Sequence, residues 1–98
     1  MERLLVIDSC MRPESRTRKI LEAAKEALAS RYEIESIDVN ATGLLPITPE
    51  VLAERTSGIV PEPIVALARK IAAADRLVVA APFWDMSFPA VLKTFFEN

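Results

Sequence analysis

Leu4-Leu5-Val6-Ile7-Asp8-Ser9-Cys10-Met11-Arg12-Pro13-Glu14-Ser15-Arg16-Thr17 is the stretch on which the reading of this chain turns. Leu4 to Ile7 form a continuous apolar run, which marks a strand buried on both faces rather than one with a wet side. Asp8 ends the run, and from Ser15 the spacing changes. Ile20, Leu21, Ala24, Ala27 and Leu28 recur at helical intervals to about Ser30, with Lys19, Glu22, Lys25 and Glu26 around them. A buried strand, a polar turn and an amphipathic helix open an α/β unit.

The rest of the chain continues the alternation. Tyr32 to Val39 mixes β-formers with charge, as an edge strand does. Asn40 to Thr48 reads as loop, broken by Gly43 and Pro46. Thr48-Pro49-Glu50 supplies an N-cap and first turn for a short helix to about Arg55. After a second break at Ser57–Pro61, Ile64, Leu67, Ala68, Ile71 and Ala72 share one helical face. Arg76 to Ala81 is a second strand of the kind buried on both faces, Pro82 to Met86 a loop, and Ser87 the expected cap of a last helix through Phe95 and Phe96. Strands alternating with helices predict one α/β domain over residues 1–98, a parallel sheet with helices on both faces. The most polar strand belongs at an edge, so the spatial order is 2-1-3. That order leaves the apolar third strand at the other edge with open backbone groups, which natural folds cover. The expectation is therefore a part of a larger domain, or a chain whose edge a partner covers.

Composition removes many chemistries. The 98 residues carry a net charge of −2, which favours neither nucleic acid nor an anionic membrane as a partner. The longest uncharged apolar run, Leu77 to Trp84, is far too short to span a bilayer. With no histidine, neither a Ser-His-Asp nor a Cys-His nucleophile is available, and with a single cysteine a zinc site is not expected. That single cysteine, and the absence of a basic lead-in to an apolar leader, fit the cytoplasm. Gly43 and Gly58 fit neither a GxGxxG nor a Walker A loop, so any phosphate must be met by hydroxyls and amides.

In an open parallel sheet, ligands bind beyond the carboxyl ends of the strands, where the strand order reverses. With order 2-1-3 the loops that meet there are residues 8–17 and 82–88. In the first, Ser15 caps the helix and Thr17 follows on its first turn, where free N–H groups and a partial positive charge make an anion site. Arg16, Arg18 and Lys19 crowd that same helix start, where the dipole penalises each cation by about 0.3–1 kcal/mol unless an anion docks. Taken alone, the turn suits a capped helix with solvated cations equally well; its place after a buried first strand favours phosphate. Cys10 in this turn is better read as a small packed residue than as a reactive thiol, and Asp8 as a loop cap or a phosphoryl acceptor. In the second loop, Phe83, Trp84 and Phe88 put three aromatics at the same end of the sheet, suited to a planar heteroaromatic ring. Taken alone, these are more often aromatics that cap a core. Together the two loops describe a site for flavin mononucleotide (FMN).

The residues also carry a resemblance. Ser9-x-x-Arg12-x-x-Ser15-x-Thr17 after the first strand, with Ala80-Ala81-Pro82-Phe83-Trp84-Asp85-Met86-Ser87 and Pro89-Ala90-x-Leu92-Lys93-x-Phe95-Phe96 after the third, resembles the flavodoxin-like NAD(P)H-dependent FMN oxidoreductases, the quinone reductases and azoreductases. The resemblance spans nearly the whole chain but only the N-terminal portion of that domain. It implies FMN phosphate held by Ser9, Ser15, Arg16 and Thr17, and the isoalloxazine held by Pro82, Phe83, Trp84, Asp85 and Met86. It implies NAD(P)H as hydride donor, a quinone, azo compound or similar small-molecule acceptor, and a homodimer with sites at the interface. Flavin performs the redox step in such proteins and the chain positions it. Two departures stand out: Asp85 where many relatives carry Asn, a charge that would lower the flavin's potential, and Trp84 where Tyr is more usual. Two other readings compete. A non-catalytic truncated or split module would act by pairing through its third strand. A receiver-like phosphoacceptor is faintly suggested by Val6-Ile7-Asp8 with Arg12-Pro13, but such domains want an acidic cluster after strand one and an aspartate ending strand three, where Ser9 and Ala81-Pro82 stand.

Overall fold

The computed structural model of the chain describes residues 1–83 and 87–98. Its elements are β1 (Glu2–Asp8), α1 (Arg16–Leu28), β2 (Tyr32–Asp38), α2 (Pro49–Thr56), α3 (Glu62–Ala73), β3 (Arg76–Ala80) and α4 (Ala90–Glu97), with one 3-10 turn at Val39–Ala41. The three strands are parallel in the order β2-β1-β3, as the polarity of β2 requires.

Strand alternation sorts the core into two layers. Leu5 and Ile7 on one face of β1 join Ile37, Val39, Leu92 and Phe95, with Leu67 and Ile71 of α3 packed against them. Leu4 and Val6 on the other face join Cys10, Leu21 and Ala80, with Leu28 of α1 alongside. Helices thus cover both faces of β1, which explains its uninterrupted apolar run. Each of its four core side chains is at most 3% exposed, a burial that contributes about 1.5–3 kcal/mol per residue.

The two faces of β3 are not equally covered. Leu77 and Val79 remain 46% and 43% exposed, while Ala80 is buried. β3 takes the edge position that order 2-1-3 gives it, but the expectation of burial on both faces is corrected: α3 and α4 lie over β1 rather than over β3. α1 is also rotated from the simplest reading of its stripe. Leu21 is buried, Ala24 and Leu28 are half-buried, but Ile20 is 72% exposed. With about 100° between successive residues, a face centred on Leu21, Ala24 and Leu28 turns Ile20 outward. α2 keeps the cap expected of Thr48, whose hydroxyl accepts the Val51 N–H at 3.2 Å, and stops at Gly58, whose φ of 82° favours glycine. α4 starts later than expected: Pro89, not Ser87, stands at its N-cap position, and no side chain caps it.

Candidate functional site

β1 and β3 end at the same level, with Asp8 in register with Ala80. One residue further, Ser9 donates twice to the carbonyl oxygen of Ala80, from its amide at 3.0 Å and from Oγ at 2.7 Å. The turn after β1 and the turn after β3 therefore leave the sheet from a shared anchor. Between them lies a cleft of about 420 Å³, lined on one side by Met11, Arg12, Glu14, Ser15, Arg16 and Thr17, and on the other by Pro82 and Phe83.

The first wall is built by local rules. Pro13 follows Arg12 in a tight turn closed by the Ser15 N–H on the Arg12 carbonyl at 3.2 Å, the position that proline's fixed φ favours. Ser15, in extended conformation, then caps α1: its Oγ accepts the Arg18 N–H at 3.2 Å. Among the described residues no acceptor faces the amides of Arg16 and Thr17, the free donors at a helix N-terminus. Side chains in the cleft bring two cations, Arg12 and Arg16, against one carboxylate, Glu14. With the helix dipole, that balance favours an anion.

Phe83 forms the opposite wall at 72% exposure, and Pro82 beside it is half-buried. An aromatic this open is not capping the core; it offers a flat apolar surface across from the anion turn. Trp84, Asp85 and Met86, the rest of the expected ring-binding loop, lie outside the described residues.

Not every expected site residue reaches the cleft. Ser9, expected among the phosphate donors, is fully buried with its hydroxyl committed to Ala80; its contribution is to tie the two turns together. Arg18, counted among the crowded cations, is already paired. Its Nε lies 3.3 Å from Asp8 Oδ2, and Nη2 donates to the Cys10 carbonyl at 2.6 Å. Asp8 is a loop cap rather than an exposed acceptor, since its Oδ1 takes the Cys10 N–H at 2.9 Å. Cys10 is 1% exposed. Burial pushes its thiol above its ordinary pKa, with the Asp8 carboxylate adding to the effect and the Ser15 hydroxyl and Arg18 opposing it. It packs in the core with Leu4, Val6 and Leu21 and does not line the cleft. Asn40, whose Nδ2 donates to the Cys10 carbonyl at 3.1 Å, escaped the sequence reading because nothing local marks a contact across thirty positions.

Among the described residues no cluster of side chains suits a metal ion, and no helix is long and apolar enough to cross a membrane. The larger groove, about 630 Å³ between β3 and α4, is lined by Val79, Ala81, Phe88, Leu92 and Phe96, with Lys93 and Glu97 at its margin. It continues the uncovered face of β3 and lacks the convergent donors of the anion turn.

A parallel sheet in order 2-1-3 with helices on both faces, and a cleft between the turns that follow β1 and β3, define a flavodoxin-like chain. The model of the NADPH-dependent FMN reductase family matches residues 3–98, and the chain belongs to that family. Over 109 aligned positions it is 32% identical to an FMN-dependent NADH:quinone oxidoreductase of Clostridium acetobutylicum, covering 99% of this chain and 52% of that protein. Among solved structures, an NAD(P)H:quinone oxidoreductase from Methanothermobacter marburgensis superposes with a TM-score of 0.84 at 24% identity, over 97% of this chain and 51% of the other. An azoreductase from Bacillus anthracis gives 0.75 at 18% identity, over 99% and 54%. The chain thus spans about half the length of the relatives it matches.

Proposed function

We propose that this chain carries the phosphate-binding and ring-binding turns of an FMN-dependent NAD(P)H oxidoreductase acting on a quinone, azo compound or similar acceptor. The single observation behind this reading is the cleft that joins the Ser15–Thr17 turn to Phe83 at the carboxyl end of the sheet. The residues present suit FMN: free amides at Arg16 and Thr17, the Thr17 hydroxyl and two arginines meet a dianion, and Phe83 meets a planar ring. Bound FMN would supply two-electron redox chemistry, taking a hydride from the nicotinamide and passing it to the acceptor. The protein's part is positional. Arg12 and Arg16 would neutralise the phosphate, the α1 amides would orient it, and Pro82 and Phe83 would meet the ring. Trp84, Asp85 and Met86 complete that wall in this reading.

A cytoplasmic homodimer is the assembly that this reading favours. A second reading, in which the chain is a non-catalytic module completed by another chain through β3, draws on the exposure of Leu77 and Val79 and of Phe88 and Phe96 beside them.

Titration with FMN and with riboflavin, followed by flavin fluorescence, tests the first reading. FMN is expected to bind at least about tenfold more tightly, since only FMN brings a phosphate to charge-assisted donors. Equal affinities would remove the phosphate assignment. Binding of neither would leave the pairing module as the better account.

A further inference from the structure

Arg18 stands just inside α1 yet faces back across the turn that precedes the helix. Its guanidinium makes three contacts on that turn's inner side: Asp8 Oδ2 at 3.3 Å from Nε, the Cys10 carbonyl at 2.6 Å from Nη2, and the Arg12 carbonyl at 3.5 Å from Nη1. Asn40 adds a second donor to the Cys10 carbonyl, and Asp8 holds the Cys10 amide. We infer that Arg18 is a positioning residue for the anion turn, a clasp that closes residues 8–15 into their binding shape before any ligand arrives.

Two physical arguments carry this. The first concerns sign. Backbone carbonyls are the negative ends of the turn's dipoles, and an anion approaching them is repelled. Tying the Cys10 oxygen to a guanidinium that also lies beside the Arg12 oxygen fixes the first and offsets the field both would project. Because the peptide is planar and trans, holding the Cys10 carbonyl on Arg18 also fixes the Met11 N–H in the opposite direction. The second concerns entropy. The turn holds no regular ladder of its own between Asp8 and Arg16, so without the clasp its residues would have to be ordered on binding, at a cost in affinity. A guanidinium suits the task because its planar fork meets several oxygens at fixed angles, which an ammonium does not. Asp8 compensates its charge at a point where only 16% of the carboxylate side chain and 32% of the arginine side chain are exposed, so Arg18 keeps its donors on the turn rather than offering them to the cleft.

The inference rests on the FMN reading, and the test separates the two by giving each its own readout. Arg18→Gln and Arg18→Lys are made in the full chain, with Asp8→Asn as a third variant that keeps Arg18 and removes its counter-charge. The first readout needs no flavin: Cys10, fully buried against the clasp, is labelled with a disulfide reagent, the global stability of each variant being followed by circular dichroism. Both Arg18 variants are expected to label about tenfold faster or more at matched stability, and Asp8→Asn by a smaller factor in the same direction. The second readout is the ratio of riboflavin to FMN dissociation constants, expected to fall about tenfold in both Arg18 variants. Unchanged labelling overturns the clasp, whatever the flavin data show. Restoration of the ratio by Arg18→Lys overturns it too, because charge alone would then suffice. Failure of all three variants to fold would make the pair a core brace and dispose of the clasp equally. If the unaltered chain itself does not distinguish FMN from riboflavin, the FMN reading falls while the labelling result still judges Arg18.

Discussion

Ile7 and Val79 are partners in register on the same face of the sheet, yet Ile7 is fully buried and Val79 is 43% exposed. One strand-width separates a core position from an open one. The helices that cover this face, α3 and α4, are centred on β1, and the layer they form stops short of β3.

That contrast yields the first prediction. In urea denaturation, Ile7→Ala is expected to cost about 2–5 kcal/mol, the usual penalty for a large-to-small change in a core, and Val79→Ala less than about 1 kcal/mol. A cost at Val79 equal to that at Ile7 would mean that another surface covers β3 in solution. Sedimentation of the same samples would then show the assembly.

Ser15 and Thr17 are expected to part company when each is changed to alanine. Ser15 caps α1, so its loss should lower stability by about 1 kcal/mol as well as weaken FMN. Thr17, half-buried on the first turn, should leave the unfolding midpoint almost unmoved and weaken FMN alone. The comparison is a denaturation curve and a flavin titration for each variant. Weakened riboflavin binding in Thr17→Ala would argue that this residue meets the ring and not the phosphate.

Phe83→Ala removes an aromatic that the core does not use. Stability should change by less than about 0.5 kcal/mol, as for an exposed site, while FMN and riboflavin should weaken together because both carry the ring. Selective loss of FMN would contradict the division of the cleft into a phosphate wall and a ring wall.

Cys10 gives the pH dependence. Its thiol is an acid whose pKa is raised in the fold, chiefly by burial, so the native state holds the proton more tightly than the unfolded chain. The stabilisation is fully present below the unfolded thiol's pKa and fades as pH rises through the raised native value. Unfolding free energy measured from neutral into alkaline pH should therefore decline more steeply in the unaltered chain than in Cys10→Ala. Parallel curves would show that burial places no strain on the thiolate.

Much of this architecture was legible in the residue order. The buried run Leu4–Ile7 and the polar second strand suffice for the parallel 2-1-3 sheet, since burial on both faces and exposure at an edge leave different compositions. The cleft was legible as well, because connectivity forces the two turns to one end of the strands. Three things were not. The exposure of Leu77 and Val79 depends on where α3 and α4 settle, and an apolar strand reads the same whether its cover is present or not. Ser9 looks like any turn hydroxyl; only the register of Asp8 with Ala80 reveals that its donor is already spent. Arg18 reads as one more surplus cation at a helix start until the carbonyls that it gathers are seen, and those lie six and eight positions back along the chain.

The two hydrogen bonds from Ser9 to the Ala80 oxygen couple the two banks of the cleft mechanically. Changes made on one bank should then be felt on the other, and substitutions such as Thr17→Ala and Phe83→Ala should combine with a non-additive remainder. Ser9→Ala, which removes the hydroxyl's bond and leaves the amide's, should shrink that remainder.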